Sequence, residues 1–447
     1  MGAGFPAPFF VYDYIRAGQR SSSAIKRTLP QPQGPQMTTF SDPPPASGPP
    51  NQPFNLGMLI NDTRYRGYTF QFIALIALIF FFGWLVSNAI YNLAALGQDI
   101  NFSFLGQPAS YEIDQTLIPY TSTDTHMRAA FVGLLNTLLV AFLGCITATI
   151  FGVLAGVLRL SKNWLVAKVM SVYVEIFRNI PVLIWIVIIS AVMSQALPQP
   201  RAFRGEDATA TMVLWDSVAF TNRGVYIPAP VWNPGSGIVV AVFVLSIIGI
   251  FVFRRYAKNL LFNTGKLLPV GRISLAIFFV PTLLAFFVMG RPIGLDYPEL
   301  GGFNFRGGIN IRGTLIALWF ALALYTGAFI AENVRAGILA VSKGQTEAAA
   351  ALGMRPNRIM SLIILPQALR VIIPPVISQY LNLTKNSSLA AAIGYMDLTG
   401  TLGGVTLNQT GRSFECVLLL MLFYLLISLS ISALMNLYNN AVKLKER

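Results

Sequence analysis

Residues 342–370 read SKGQTEAAAALGMRPNRIMSLIILPQALR, a hydrophilic segment that lies between two long apolar stretches of the chain. Within it, residues 348–351 are four alanines, which favour a helix and whose minimal side chains let another protein surface approach the backbone. Thr346 can cap the start of this helix, and Glu347 complements the positive end of its dipole. Gly353 can adopt the left-handed conformation that ends it. The segment therefore predicts a short, rigid helical knob.

The composition of the whole chain indicates a membrane protein. Hydrophobic residues make up 54% of the 447 residues and charged residues only 11%, whereas soluble domains carry roughly 25% charged residues. The two cysteines, Cys145 and Cys416, both lie in apolar runs, and His126 is the single histidine. A disulfide framework, a reactive thiol and a metal cluster are therefore not expected. We expect His126 to be a solvated loop residue.

Eight apolar segments approach the length of about 20 residues that a helix needs to cross the hydrocarbon core. They predict an all-α membrane fold with about eight transmembrane helices. The segments are residues 69–93, 129–158, 164–197, 238–253, 273–289, 314–331, 368–384 and 416–438.

The positions of the cationic residues predict the orientation of these helices, because short loops rich in Lys and Arg stay in the cytoplasm. With the N-terminus inside, twenty-two of the 32 Lys and Arg residues fall in cytoplasmic segments and eight fall in the opposite loops. Eight spans with both termini in the cytoplasm satisfy this alternation. The net charge of +14 is therefore explained by topology, and no nucleic-acid partner is expected.

The spacing of the quoted segment resembles the EAA signature of bacterial ABC importer permeases at every spaced position. The matching residues are Glu347, Ala348, Ala349, Gly353, Ile363, Leu365 and Pro366. Three further stretches resemble the same family: FVGLLNTLLVAFLGCITATIFGVLAGVLRLS at 131–161, YVEIFRNIPVLIWI at 173–186, and YTGAFIAENVRAGILAVSKG at 325–344. The chain is similar to permeases of polar amino acid importers, the His/Glu/Gln/Arg/opine group. The most similar systems within it are the alphaproteobacterial glutamate/glutamine/aspartate/asparagine and general L-amino acid systems.

The resemblance implies a type I, MetI-like permease core of five helices in the bacterial inner membrane, which works by ATP-driven alternating access. It implies two ABC ATPase subunits that bind ATP and Mg²⁺, a periplasmic amino-acid-binding protein and a second homologous permease, with a heterodimer favoured over a homodimer. The chain itself would hold no cofactor, metal or catalytic residue. Its nearest approach to a nucleotide-binding loop, Gly265-Lys266, lacks the upstream glycine and the following Ser or Thr.

The same comparison divides the chain. We expect a disordered cytoplasmic tail at 1–68, in which both Met1 and Met37 are possible natural starts, and a cytoplasmic C-terminus at 441–447. Between them we expect an extra helix at 69–95, a periplasmic loop at 96–128, core parts at 129–195 and 314–440, and the coupling loop at 342–366. Residues 196–313 form an insert of two helices and two outside loops that has no counterpart in a five-helix core. The sequence does not assign its role; contact with the binding protein and contact with a partner permease are two candidates.

Polar residues inside the predicted spans are candidates for function, because ionisable groups are costly there. Two pairs at i and i+3, Glu175 with Arg178 and Glu332 with Arg335, are either structural pairs or a cytoplasmic gate. Prolines 374 and 375 are expected to break or bend the seventh span. The polar residues that follow are candidates for the substrate path: Asn382, Lys385, Asn386, Ser387 and Ser388. Lys385 either pairs with a substrate carboxylate or snorkels to the membrane surface.

The alternative to an ABC permease is a secondary transporter or channel that needs no ATPase. Such a protein would be expected to show internal repeats and intramembrane acidic residues for ion coupling. The sequence shows no convincing repeat, and Glu175 and Glu332 already have arginine partners three residues away.

Overall fold

The computed structural model describes residues 57–442 apart from 96, 98, 206 and 207, so residues 1–56 of the predicted tail lie outside the described residues. Residues 58–61 and 63–68 are helical, so the disorder expected up to residue 68 is wrong for this end of the tail. The chain divides into a unit that ends at Ala89 and a unit that begins at Ile90. The α-helices are α1 (Met58–Asn61), α2 (Thr63–Ala95), α3 (His126–Leu158), α4 (Trp164–Asn179), α5 (Val182–Ala196), α6 (Ser236–Thr264), α7 (Val270–Val288), α8 (Gly313–Leu339), α9 (Lys343–Ala351), α10 (Pro356–Ile359), α11 (Leu365–Asn386), α12 (Leu407–Thr410) and α13 (Ser413–Val442).

Eight helical segments of the described part are long and apolar enough to cross a membrane, which confirms the predicted number. They contain most of α2, α3, α5, α6, α7, α8, the continuous run from α10 to residue 393, and most of α13. The run after α10 also contains a π-helix, Met360–Ile364, and a 3₁₀-helix, Ser387–Ile393.

Close packing of α3 on α8 forms the centre of the second unit. A Cβ added at Gly152 of α3 would lie 2.6 Å from Cβ of Ile330, and one at Gly156 would lie 2.7 Å from the carbonyl oxygen of Ala331. Small residues let two helix backbones approach this closely, as is usual between membrane helices. Contacts advance in the same direction along both helices, so α3 and α8 are parallel.

Helix α11 runs antiparallel to this pair. Its Ile372 lies against Gly337, near the end of α8, and its Leu383 lies against Gly144 in the middle of α3. The helix continues through Pro374 and Pro375, so these prolines do not break it, and a bend at this point stays a prediction. Two prolines remove only two backbone hydrogen bonds, and the buried side chains on either side hold the helix in place.

The predicted third span is divided into two helices, α4 and α5. Ile180 between them is extended, with φ −106° and ψ 133°, and Pro181 follows it. A proline disfavours the helical conformation of the preceding residue, which explains why α4 ends at Asn179. The single helix expected over 164–197 is therefore wrong.

The insert contains strands that the sequence analysis had assigned to loops. They are β1 (Ala219–Thr221), β2 (Gly224–Ile227), β3 (Ala229–Trp232), β4 (Ile293–Asp296), β5 (Glu299–Leu300), β6 (Phe305–Arg306) and β7 (Ile309–Arg312). All pairs are antiparallel: β1-β2-β7 form one sheet, and β3-β4 and β5-β6 form two ribbons. Ala219, Tyr226 and Phe305 form a small apolar core beneath them.

These strands fix where the two insert helices begin and end. Helix α6 starts just after β3 and α7 ends just before β4, so the strand pair closes the base of a helical hairpin. Strand β7 leads directly into α8, which ends just before α9. We call the end of α8 that adjoins β7 the strand end and the end that adjoins α9 the EAA end.

Candidate coupling and translocation site

Helix α9 is the knob that the sequence predicts, although it begins earlier than expected. The helix starts at Lys343 after an extended Ser342, so Thr346 is not its N-cap and Glu347 lies in its second turn. The physical reason is that Ser342, a residue type favoured at this position, already occupies the N-cap with an extended backbone.

The end of α9 is as predicted. Gly353 has φ +74°, and its N–H donates to the carbonyl of Ala350 at 2.9 Å. The N–H of Met354 donates to the carbonyl of Ala349 at 3.2 Å. These two bonds form a Schellman motif, which satisfies the last carbonyls of the helix and favours glycine at the left-handed position.

The surface of α9 is largely exposed. Ala349 is buried with 3% of its surface exposed, whereas Glu347, Ala348 and Gly353 face outward. Leu352, which the sequence analysis missed, is 82% exposed beside Gly353. Its signal in the sequence is a large apolar residue that interrupts a polar segment. The knob therefore presents small side chains and one leucine, a surface suited to contact with another protein.

The second half of the EAA pattern lies on the rod that leads from the knob into the bundle. Ile363 is in the π-helix, and Leu365 and Pro366 begin α11. The wider π turn accommodates a proline, which lacks an N–H and cannot make the regular helical bond. The knob is thus followed, after a short break at residues 352–355, by a nearly continuous helical rod.

Near the EAA end of the bundle, Glu332 of α8 is surrounded by three arginines. It accepts a hydrogen bond from Arg335 at 2.6 Å, which forms the predicted pair, and another from Arg159 just after α3. Arg178 of α4 lies 3.6 Å from the same carboxylate. The cluster joins three elements and carries an excess of two positive charges.

The predicted pairing of Glu175 with Arg178 is wrong. Arg178 faces Glu332 and lies 5.2 Å above the ring of Phe329, whereas Glu175 is exposed and has no ion pair among the described residues. The guanidinium of Arg178 reaches a carboxylate that two other arginines already hold, and a cation above an aromatic face gains further stabilisation. Sequence spacing on one helix could not indicate this contact between helices.

The candidate substrate-path residues lie where α11 narrows into the 3₁₀-helix. Ser387 is buried and donates to the carbonyl of Thr384, and Ser388 donates to the carbonyl of Lys385. Both hydroxyls therefore donate to backbone carbonyls of their own helical segment and not to a group across a cavity. Lys385 and Asn382 are exposed and Asn386 is partly buried. Contact with substrate and snorkelling to the membrane surface both remain predictions for Lys385.

The structure adds a buried acid that the sequence analysis did not single out. Asp397 is fully buried, and it accepts hydrogen bonds from the N–H of Gly400 at 2.8 Å and from the Tyr424 hydroxyl at 3.2 Å. Burial raises the pKa of this carboxyl from 3.8 to about 6. Its signal in the sequence is an aspartate just before the glycine- and threonine-rich run at 399–406.

The expectation that His126 is a solvated loop residue is wrong. It begins α3 at the strand end, is 3% exposed, and its Nδ1 lies 3.1 Å from the hydroxyl of Thr406. Tyr111 bonds to the same hydroxyl at 3.1 Å. The loop before α3 folds back over the helix and buries the histidine between Phe104 and Tyr111.

Comparison with known families gives one matching family model. The model is described as the inner membrane component of binding-protein-dependent transport systems, and it matches residues 267–444. That range includes α9, the rod that follows it, and the segment around Asp397.

Three relatives match over most of their length. A glutamate/glutamine/aspartate/asparagine transport system permease of Rhodobacter capsulatus is 53% identical over 90% of this chain and 99% of its own. A general L-amino acid transport system permease of Rhizobium johnstonii is 43% identical, over 86% and 94%. A putative amino-acid ABC transporter permease of Escherichia coli is 44% identical, over 86% and 95%.

A solved structure of an amino acid ABC transporter with histidines also matches. Its TM-score is 0.41 and its identity 20%, over 71% of this chain and 95% of that chain.

Proposed function

Because the chain belongs to the permease subunits of amino-acid ABC importers, we propose that it forms half of the path by which a binding-protein-dependent importer moves polar L-amino acids. The observation that supports this proposal is the exposed knob at α9. A permease of this family hydrolyses no ATP itself, so the energy must enter through a protein contact. The secondary transporter or channel is not favoured.

The coupling residues are Glu347, Ala348, Ala349, Gly353, Ile363, Leu365 and Pro366. The knob would sit in a groove on an ABC ATPase subunit, with its alanine surface and Leu352 against the groove. Movement of that subunit would displace α9 as a rigid body, and the rod that begins at Pro356 would carry the displacement into α11. Two such ATPase subunits would bind ATP and Mg²⁺.

The orientation that we propose places both termini and the EAA end in the cytoplasm, because the cationic residues concentrate in those segments. The strand end would then face the periplasm and meet an amino-acid-binding protein. The Glu332 cluster would lie near the cytoplasmic mouth, where its excess positive charge attracts carboxylates.

The substrate range that we propose is glutamate, glutamine, aspartate and asparagine. The support is the high identity to a relative whose name states that range, and a second relative whose name states general L-amino acids gives the broader version. Uptake of labelled glutamate by the whole importer should fall when any of these four competes. Equal competition by lysine and leucine would favour the broader range.

Gly353 provides the test of coupling. Valine at this position cannot easily adopt φ +74°, so Gly353→Val should open the Schellman motif and misplace the knob. We expect amino acid uptake per ATP hydrolysed by the whole importer to fall roughly tenfold or more, because hydrolysis would no longer move the rod that follows the knob.

Gly344→Val is the matched control. Gly344 lies in the first turn of the same helix, and a Cβ there meets no neighbouring atom. This variant should keep near-normal uptake per ATP. Unchanged coupling in Gly353→Val, with the subunit present at normal levels, would contradict the assignment of α9 as the coupling helix.

A further inference from the structure

Helix α6 is longer than the membrane requires. Its 29 residues span roughly 43 Å, whereas the hydrocarbon core is about 30 Å thick. The predicted apolar run ends at Phe253, and the helix continues through the sequence RRYAKNLLFNT to Thr264. The last turns of α6 therefore extend beyond the hydrocarbon at the end of the hairpin that is far from the strands.

This end of the hairpin carries five cationic residues, all of them exposed. They are Arg254, Arg255, Lys258, Lys266 and Arg272, and together we call them the basic turn. No aspartate or glutamate occurs between Asp216 and Asp296. Among the described residues, no member of the basic turn forms an ion pair with a carboxylate.

An anion from outside the chain would relieve the repulsion between these charges. Arg254 and Lys258 lie four residues apart on α6, where like charges are neighbours and repel each other. A nearby acid usually relieves such repulsion, and α6 and α7 contain none. A phosphate between the two side chains would supply the missing negative charge.

Apolar side chains beside the charges indicate where the anion lies. Phe262 is 76% exposed and Leu267 is 84% exposed, and Tyr256 is also exposed. Aromatic and leucine side chains mixed with Lys and Arg are typical of segments that rest in the membrane interface. A soluble anion would not account for these apolar neighbours, whereas a lipid headgroup with its acyl chains would.

We propose that the basic turn binds the phosphate groups of anionic phospholipids at the membrane surface. Arg254, Arg255 and Lys258 contact the phosphates, and Phe262 and Leu267 contact the upper parts of the acyl chains. The inference concerns the insert rather than the coupling helix and does not depend on which amino acid is transported. With the orientation proposed above, this membrane surface is the cytoplasmic leaflet. No other part of the inference depends on that orientation.

The test measures lipid retention by the full-length chain. Protein purified in detergent is mixed with equal amounts of phosphatidylglycerol and phosphatidylcholine of matched acyl chains, and bound lipid is counted by native mass spectrometry. We expect the wild-type chain to retain phosphatidylglycerol preferentially. The variant with Arg254→Gln, Arg255→Gln and Lys258→Gln should lose that preference at least tenfold, since each cation near a lipid surface contributes severalfold.

The matched control keeps the charge and changes the side chains. Arg254→Lys, Arg255→Lys and Lys258→Arg together should retain phosphatidylglycerol like the wild type. If the triple glutamine variant does not reach the membrane, the single variants Arg255→Gln and Lys258→Gln provide the same test, each with a loss of roughly threefold to fivefold.

Three results would overturn the proposal. Retention of phosphatidylglycerol by the neutralised variant within twofold of the wild type would show that the basic turn is not the lipid site. Complete displacement of the lipid by millimolar glycerol phosphate would indicate a site for soluble phosphate. Unchanged lipid retention together with loss of a co-purifying ATPase subunit would assign the basic turn to a protein contact.

Discussion

At the scale of single residues, the buried carboxyl of Asp397 predicts how the stability of the fold depends on pH. Its neighbours are the Gly400 N–H and the hydroxyl of Tyr424, with Tyr395 close by, and none of these is cationic. Burial without a cation disfavours the charged form, so the pKa of Asp397 rises to about 6. The folded chain therefore holds this proton more tightly than the unfolded chain.

This difference predicts that Asp397 favours the folded state in acid. Its contribution should be complete below pH 3.8, the value in the unfolded chain, and should be lost as the pH rises through about 6. The difference between a pKa of 3.8 and one of about 6 corresponds to roughly 3 kcal/mol of stability. Asp397→Asn keeps an acceptor for Gly400 and removes the charge, so the stability of this variant should vary less between pH 4 and 7.

Thermal unfolding of the full-length chain in detergent across this range measures the effect. The exposed Glu112 supplies a control, because Glu112→Gln should leave the wild-type pH dependence in place. An Asp397→Asn curve that parallels the wild-type curve at every pH would show that this carboxyl does not change its protonation on unfolding.

At the scale of elements, Glu332 is the point where α3, α4 and α8 are held together. Replacing it with glutamine would leave the guanidinium groups of Arg159 and Arg335 facing each other without a carboxylate. Hydrogen bonds to charged groups contribute about 1.5–3 kcal/mol, so we expect Glu332→Gln to lower the free energy of unfolding by about that amount.

Glu175→Gln is the comparison, because Glu175 lies on α4 beside the cluster but is exposed and has no ion pair among the described residues. Thermal unfolding of the two variants should therefore separate them, with Glu175→Gln close to the wild type. Equal loss of stability in both would contradict the prediction that the contacts of Glu332 with the arginines stabilise the fold more than an exposed glutamate on α4 does.

The sequence was sufficient for elements whose signals are local. The end of α9 follows from Gly353, which the sequence predicts as the left-handed stop. The dipeptide Ile180-Pro181 also indicates the division between α4 and α5. The long apolar run on either side of it, however, favours a single membrane span. The strands were missed because each has four residues or fewer, too short to show an alternating pattern.

Within the candidate site, the sequence did not predict contacts between residues that lie far apart in the chain. Spacing along α4 predicts that Arg178 pairs with Glu175, whereas the structure pairs it with Glu332 on α8. The sequence around His126 predicts a solvated residue, because nothing near it in the chain indicates its contact with Thr406, which lies 280 residues away. The coupling helix was easier to predict because its features follow from consecutive residues.

At the scale of the whole molecule, a single knob per chain predicts how the importer assembles. The described part contains one EAA helix, α9, while two ATPase subunits would each need a knob, so a second permease must supply the other. We propose a heterodimer, in which the second knob belongs to a different permease. The affinity-tagged chain should therefore co-purify with one copy of a different permease and two ATPase subunits, and native mass spectrometry of the intact complex measures this. Two copies of the tagged chain in one complex would establish a homodimer instead.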